Sequence, residues 1–202
     1  MIYRMGLIDN INKSLNDDFV QELLRGSKFS IAASCFSIYA FEELKRQLKD
    51  IDELRFIFTS PTFVTEKANK QKREFYIPRL NRERNLYGSE FEIKLRNELS
   101  QKAIAKECAE WIRRKACFKS NRTGENMMGF ATLDNKAYMP ITGFTTVELG
   151  CERGDNAYTF INKFDAPYSN QYLSLFDQVW NDTSKMQVVT DKVLDNITHA
   201  YK

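Results

Sequence analysis

Few residues in this 202-residue chain could do chemistry, and the scarcest type excludes the most. There is one histidine, His199, near the C-terminal end. A single histidine argues against a histidine-triad hydrolase, a multi-histidine zinc site and any mechanism that needs two imidazoles from one chain. Four cysteines (Cys35, Cys108, Cys117, Cys151) show no C-x-x-C spacing and read as buried thiols. Cys35 closes an apolar run, the place where open α/β sheets bind ligands. A thiolate nucleophile needs a base, and no histidine is close in sequence, so packing is its expected role. Gly124-Glu125-Asn126-Met127-Met128-Gly129 has the spacing of a phosphate-binding loop. Phe130 and Ala131 follow, where Lys and Ser/Thr must reach phosphate and Mg²⁺, so this segment is not expected to hydrolyse ATP by itself. Glu148 and Glu152 have the spacing of a carboxylate pair on one helical face, but Gly150 and Gly154 point to a solvated turn instead.

Charge is the second signal. The net charge of +3 conceals a basic middle: residues 66 to 122 hold 16 basic and 8 acidic side chains, against 8 and 9 before them and 6 and 10 after. Such a stretch is a candidate polyanion-facing surface. Its densest part carries Lys67, Lys70, Lys72, Arg73, Arg79, Arg82 and Arg84, interleaved with Phe75, Tyr76 and Tyr87. Cations there would meet phosphates, and the rings would stack on bases. Pro78 breaks the segment, which reads as an exposed insertion over about 65–88. Arg113, Arg114 and Lys115 form a second basic group. With 43% hydrophobic and 28% charged residues the composition is globular. No apolar run approaches the roughly 18 residues a membrane helix needs, and no signal-peptide core is present, so a cytoplasmic protein without membrane contact is expected.

The elements that must position these residues follow from periodicity. Asn16-Asp17-Asp18 starts a helix carrying Phe19, Leu23 and Leu24, and Gly26 ends it. Phe29 to Phe36 reads as a strand buried on both faces, Tyr39 to Lys49 as a helix, and Leu54 to Phe58 as a second strand, together a βαβ unit. Phe91, Ile93 and Leu95 alternate like a short strand. Ile104, Cys108, Trp111 and Ile112 recur at helical spacing ahead of a Cys117-Phe118 segment. Met127 to Leu133 and Ala137 to Ile141 flank Asp134-Asn135 as a hairpin. Tyr172, Leu175, Phe176 and Val179 form one helical stripe; Met186, Val189, Val193, Ile197 and Tyr201 form another. The expected class is α/β, a mixed β-sheet flanked by helices with helices at the C-terminus.

The stretch A-Y-M-P-I-T-G-F-T-T-V-E-L-G (Ala137 to Gly150), with N-K-F-D (Asn162 to Asp165) and Y-L-S-L-F-D-Q-V-W-N-D (Tyr172 to Asp182), resembles a phospholipase-D-type domain. The resemblance is greatest to the domain ahead of the motor in some bacterial Swi/Snf-type helicases of the DEAD/DEAH superfamily. It implies a phospholipase-D-like domain over 1–182 and a terminal helix over 183–202 leading toward a motor. Active members of that superfamily carry H-x-K, four residues and Asp, then a hairpin and G-S-x-N, and use the histidine as the nucleophile on phosphorus. With Gly143 taken as the glycine of the later segment, the histidine position falls near Met128, the lysine near Phe130 and the aspartate near Asn135. Neither a thioether nor a phenyl ring can replace those groups, so the resemblance implies no catalytic residues and no metal.

These observations lead to a non-catalytic, nucleic-acid-engaging accessory domain of an ATP-dependent DNA helicase, with ATP and Mg²⁺ expected only in the motor domains. Phosphate contact is expected at the two basic groups, and a vestigial phosphate cleft at Thr142 and Thr145. The alternatives are a phosphodiesterase or restriction-type nuclease, and a protein-interaction module that includes a homodimer.

Overall fold

Capping side chains fix the first junctions of the chain. In the computed structural model, which describes residues 5–59, 90–154 and 158–198 (and side chains of the third helix from residue 100 onward), strand β1 (Met5–Ile8) leads into helix α1 (Leu15–Glu22). Ser14 caps α1 by accepting the Asp17 N–H at 3.0 Å. Gly26, at φ +81°, turns the chain into β2 (Lys28–Ala33). Ser37 caps α2 (Ile38–Leu48), which leads to β3 (Glu53–Phe58). Then follow α3 (Glu90–Lys115), β4 (Ala116–Asn121), the hairpin of β5 (Phe130–Leu133) and β6 (Lys136–Met139), β7 (Ile161–Phe164), α4 (Asn170–Trp180), β8 (Met186–Val188) and α5 (Thr190–Thr198).

The eight strands of the described residues form one sheet in the order β1-β7-β6-β5-β2-β3-β4-β8. The central β2, β3 and β4 are parallel and every other pairing is antiparallel. The class is therefore α/β with a mixed sheet, and the expected βαβ unit is present. Strand alternation divides the core. Phe29, Ile31, Phe56, Phe118 and Tyr138 face α1, α2, α3 and α5, while Ala32, Ile57 and Phe130 face α4.

Two element expectations need correction. Phe91, Ile93 and Leu95 lie inside α3. No Gly or Pro interrupts residues 90–115, and the intervening Glu, Lys and Arg are good helix formers, so the helix propagates upstream of its buried stripe. Met186 belongs to a strand and not to the terminal helix. β8 pairs with Asn121 to Lys119, satisfying the backbone groups of an otherwise open edge, and α5 begins only at Thr190. Val193 and Ile197 are then buried in the main core. Leu175, expected in the α4 stripe, is 45% exposed, whereas Phe176 is fully buried. Tyr201, His199 and the insertion over about 65–88 lie outside the described residues.

Candidate cleft at the C-terminal edge of the parallel strands

Several loops meet where β2, β3 and β4 end. Ser34 to Ser37 leave β2, Met127 to Gly129 enter β5, and Pro140 to Thr145 leave β6. The first and last are stitched together: Ser34 donates to the Thr142 carbonyl from its N–H (2.8 Å) and its hydroxyl (2.9 Å). Phe144 N–H donates to the Cys35 carbonyl and Ser37 N–H to the Phe144 carbonyl, both at 2.9 Å. Beneath them the rings of Phe36 and Phe144 stack at 5.4 Å, and Phe36 meets Phe118 edge-on at 5.2 Å.

The second glycine of the G-x-x-x-x-G spacing has a packing explanation. A Cβ on Gly129 would lie 1.7 Å from the Ile141 carbonyl oxygen and 2.9 Å from that of Ala32, so only glycine lets these backbones approach. Gly124 has open space around it. Half-buried Cys35 is part of the same packing, its Sγ 2.8 Å from where a Cβ on Gly143 would sit. That fits the expected structural role.

The electrostatics of the cleft are those of a carboxylate. Thr142 N–H donates to Glu148 Oε1 at 3.0 Å, and Glu148 N–H donates back to the Thr145 hydroxyl at 3.1 Å. Asn10, held at φ +58°, donates to the Glu148 carbonyl at 2.9 Å and accepts from Leu15 N–H, tying the β1–α1 loop to this turn. Burial raises the Glu148 pKa above the usual carboxylate value, and the Thr142 hydrogen bond opposes it only in part. A cleft of about 670 Å³ opens beside the turn, lined among others by Asp9, Asn10, Glu148, Glu152, Arg153 and Tyr158. Asp9 accepts from the N–H groups of Ile11, Asn12 and Lys13, which hold its pKa at about 2. Glu148 and Glu152 thus share a cleft, on a turn as expected and not on a helix, although Glu148 is more buried than its sequence context suggests. Among the described residues no group of His, Cys, Asp and Glu is placed to hold a metal ion.

The three positions aligned with the catalytic motif do not converge. Met128 is 68% exposed just before β5. Phe130 points to the other face of the sheet, its ring 5.7 Å from Phe176 and 6.2 Å from Tyr172 under α4. Asn135 lies past the far end of β5, in the hairpin turn at the opposite edge of the sheet.

One solved structure that resembles this chain is phosphatidylserine synthase from Haemophilus influenzae Rd KW20, with a TM-score of 0.50 at 12% identity. The fold is phospholipase-D-like. The match covers 100% of this chain and 42% of the synthase chain, so the chain spans less than half the length of that structure. No family model and no curated protein matches the sequence.

Within this fold, Thr142 is exposed and Thr145 half-buried; both lie in the segment that follows β6, and neither is among the residues lining the cleft beside Glu148. Their most direct donor, the Thr142 N–H, is already occupied by Glu148. Arg113, Arg114 and Lys115 form the last turn of α3, which feeds the N-terminal end of β4, the opposite edge of the sheet. Lys67, Lys70, Lys72, Arg73, Arg79, Arg82 and Arg84 lie outside the described residues. Sequence reasoning missed β1, β7 and Asn10, since four-residue strands give weak patterns and an Asn in the left-handed region reads only as a turn. It also missed that the N-K-F-D phrase is structural: Lys163 reaches across to Asp18 and Glu22 of α1, each at 3.0 Å. Among the described residues no helix is long and apolar enough to cross a membrane.

Proposed function

We propose that this chain is a non-catalytic accessory domain that engages nucleic acid through cationic side chains, as part of an ATP-dependent DNA helicase. The observation that carries the non-catalytic half is Phe130. Where the active pattern needs a lysine at the phosphoryl oxygens, the side chain is a phenyl ring, 4% exposed and packed beneath α4. Placing a cation there would require moving a helix. The nucleic-acid half is supported by the basic middle of the sequence and by the cations that close α3. ATP and Mg²⁺ would act in motor domains of the parent and not here.

The test pairs cleavage with binding. Incubated with duplex and single-stranded DNA, with and without chelator, this fragment is expected to leave both intact. Chelator-resistant cleavage would restore the nuclease reading, because phospholipase-D-type chemistry needs no metal. In fluorescence anisotropy the fragment is expected to bind labelled DNA with an affinity that falls linearly in log salt; no binding at low salt would remove the nucleic-acid reading.

One observation favours an interaction module as a second reading. Met5 and Leu7 on edge strand β1 are 65% and 54% exposed, and Tyr158 and Phe160 beside β7 are 73% and 61% exposed. An uncharged edge strand next to exposed rings is a surface that other chains can cover. A concentration-dependent mass by light scattering would support self-association, and a strict monomer would exclude it.

A further inference from the structure

Two basic groups, more than sixty residues apart in sequence, meet at the N-terminal edge of the parallel strands. Helices α2 and α3 lead into adjacent parallel strands, so they run in the same direction and end side by side. They are pinned at that end. The Trp111 indole N–H donates to the Leu48 carbonyl at 2.8 Å, and the Trp111 ring lies 5.2 Å from Phe41. Lys49 follows Leu48 directly, and Arg113 comes two residues after Trp111. The pin therefore holds side by side the α2 end, which carries Arg46 and Lys49, and the α3 end, which carries Arg113, Arg114 and Lys115.

The nearby acids, exposed Asp50 beside Lys49 and Glu42 and Glu43 one turn before Arg46 among them, form no ion pair with these five cations among the described residues. Lys45 is the one cation of the α2 end with an ion pair among the described residues, to Glu107 at 3.2 Å. Among the described residues no carboxylate lies within ion-pair distance of Arg46, Lys49, Arg113, Arg114 or Lys115. Arg114 donates from Nε to the Glu110 backbone carbonyl, which spends none of its charge on an acid. Asp52 faces away from α3: its N–H donates to the Ser27 carbonyl and its carboxylate approaches Gly26, on the β2 side. Glu110, on α3, and Asp191, in the first turn of α5, bound the group. One or two cations suffice to complement a helix C-terminus. Five on two adjoining ends exceed that need.

We infer that the paired C-termini of α2 and α3, with Arg46, Lys49, Arg113, Arg114 and Lys115, form a composite contact surface for the phosphate backbone of a nucleic acid. This deepens the function proposed above and rests on it. The surface faces away from the carboxylate-lined cleft, so the chain would hold a polyanion on the edge opposite the vestigial site. Five exposed or half-exposed cations and no exposed ring at the described ends of these helices favour backbone contact without base reading.

The test is anisotropy of labelled duplex DNA across a salt series with Arg46→Gln/Lys49→Gln, Arg113→Gln/Lys115→Gln, Lys70→Gln/Arg73→Gln and, as a control at the opposite edge, Arg153→Gln. Each double change at the two helix ends is expected to make the log–log salt slope shallower by about two, roughly one for each phosphate left without its cation. Arg153→Gln is expected to leave the slope unchanged, and thermal melts would confirm that these surface variants fold. Loss confined to Lys70→Gln/Arg73→Gln overturns this surface while the nucleic-acid reading stands. A wild-type fragment that binds no DNA overturns both. Binding to anionic phospholipid vesicles with none to DNA overturns the partner assigned here.

Discussion

Replacing Lys163 by Met is expected to destabilise the fold through a carboxylate it does not itself carry. Asp18, in α1, has a fully buried side chain. It accepts from the Tyr138 hydroxyl, from Lys163 Nζ at 3.0 Å and from Lys13 Nζ at 2.9 Å. Lys163 also reaches Glu22, which pairs with Lys136, each at 3.0 Å. Burial pushes the Asp18 pKa up, but the hydrogen bonds from Tyr138, Lys13 and Lys163 outweigh it and hold it below the usual value. Burial and the Asp18 charge drive the Tyr138 hydroxyl pKa far upward, so it stays a donor. Removing one partner of a buried pair costs about 3–5 kcal/mol when the other charge is left alone. Here Lys13 and Tyr138 remain, so about 2 kcal/mol is the reasonable expectation for Lys163→Met. At a urea dependence of about 2 kcal/mol per M, the unfolding midpoint should fall by about 1 M. Asp18→Asn/Lys163→Met should cost less than the sum of the two single changes, because both singles break the same interaction.

The pH dependence has a definite sign. A carboxylate whose pKa is lower folded than unfolded contributes stability that is present above its unfolded value and lost as pH falls through the folded one. Wild-type stability should therefore drop below the ordinary Asp value of 3.8, with Asp18→Asn flattening that limb. A midpoint unchanged in Lys163→Met, or additive single and double variants, would refute the assignment of this network as the tie between α1 and the sheet.

Gly129→Ala should lose several kcal/mol, or soluble protein altogether, because the Cβ has no space, whereas Gly124→Ala should be neutral; urea midpoints compare them. Phe130→Lys, alone or with Met128→His, should destabilise by about 3 kcal/mol or more and produce no hydrolysis of a chromogenic phosphodiester, since the side chain is buried under α4. Trp180→Ala should loosen α4 by about 2 kcal/mol, because the ring holds Lys119 Nζ at 4.4 Å and Arg55 at 5.7 Å; amide exchange in 170–180 reads this locally. Glu148→Gln should be neutral or slightly stabilising at pH 7. A raised folded pKa means that wild-type stability declines as pH rises above the ordinary 4.5, and that decline should vanish in the variant's pH profile of unfolding.

The sequence carried the middle of the sheet and lost its margins, for a physical reason. Strands buried on both faces, such as Phe29 to Ala33 and Leu54 to Phe58, read as apolar runs that few other structures explain. β1, β7 and β8 are three or four residues long, and their partners lie far away in sequence. Nothing local marks Met186 as pairing with Asn121, and helical periodicity absorbed it. The motif arithmetic placed Met128, Phe130 and Asn135 along one strand and turn, but β5 begins only at Phe130, which is buried under α4, while Met128 is exposed ahead of it and Asn135 lies past the far end. The charged cleft was hidden for the same reason: Asp9 and Asn10 join Glu148 only through the β1–β7 pairing, across about 140 residues.

The carboxylates that line the cleft oppose an anion there. A phosphodiester brought within about 5 Å of an ionised Glu148 would meet roughly 3 kcal/mol of repulsion at an effective dielectric of about 20, close to a hundredfold in affinity. It would also have to displace that carboxylate from the Thr142 N–H. Asp9 and Glu152 add the same sign, and Arg153 alone among the described lining residues opposes them. The proposed polyanion contact therefore lies elsewhere, and one group of cations without acidic partners among the described residues sits on the opposite edge of the sheet, at the ends of α2 and α3. With Phe130 buried beneath α4, Arg153 is the one cation among the described lining residues set against the three carboxylates of the cleft.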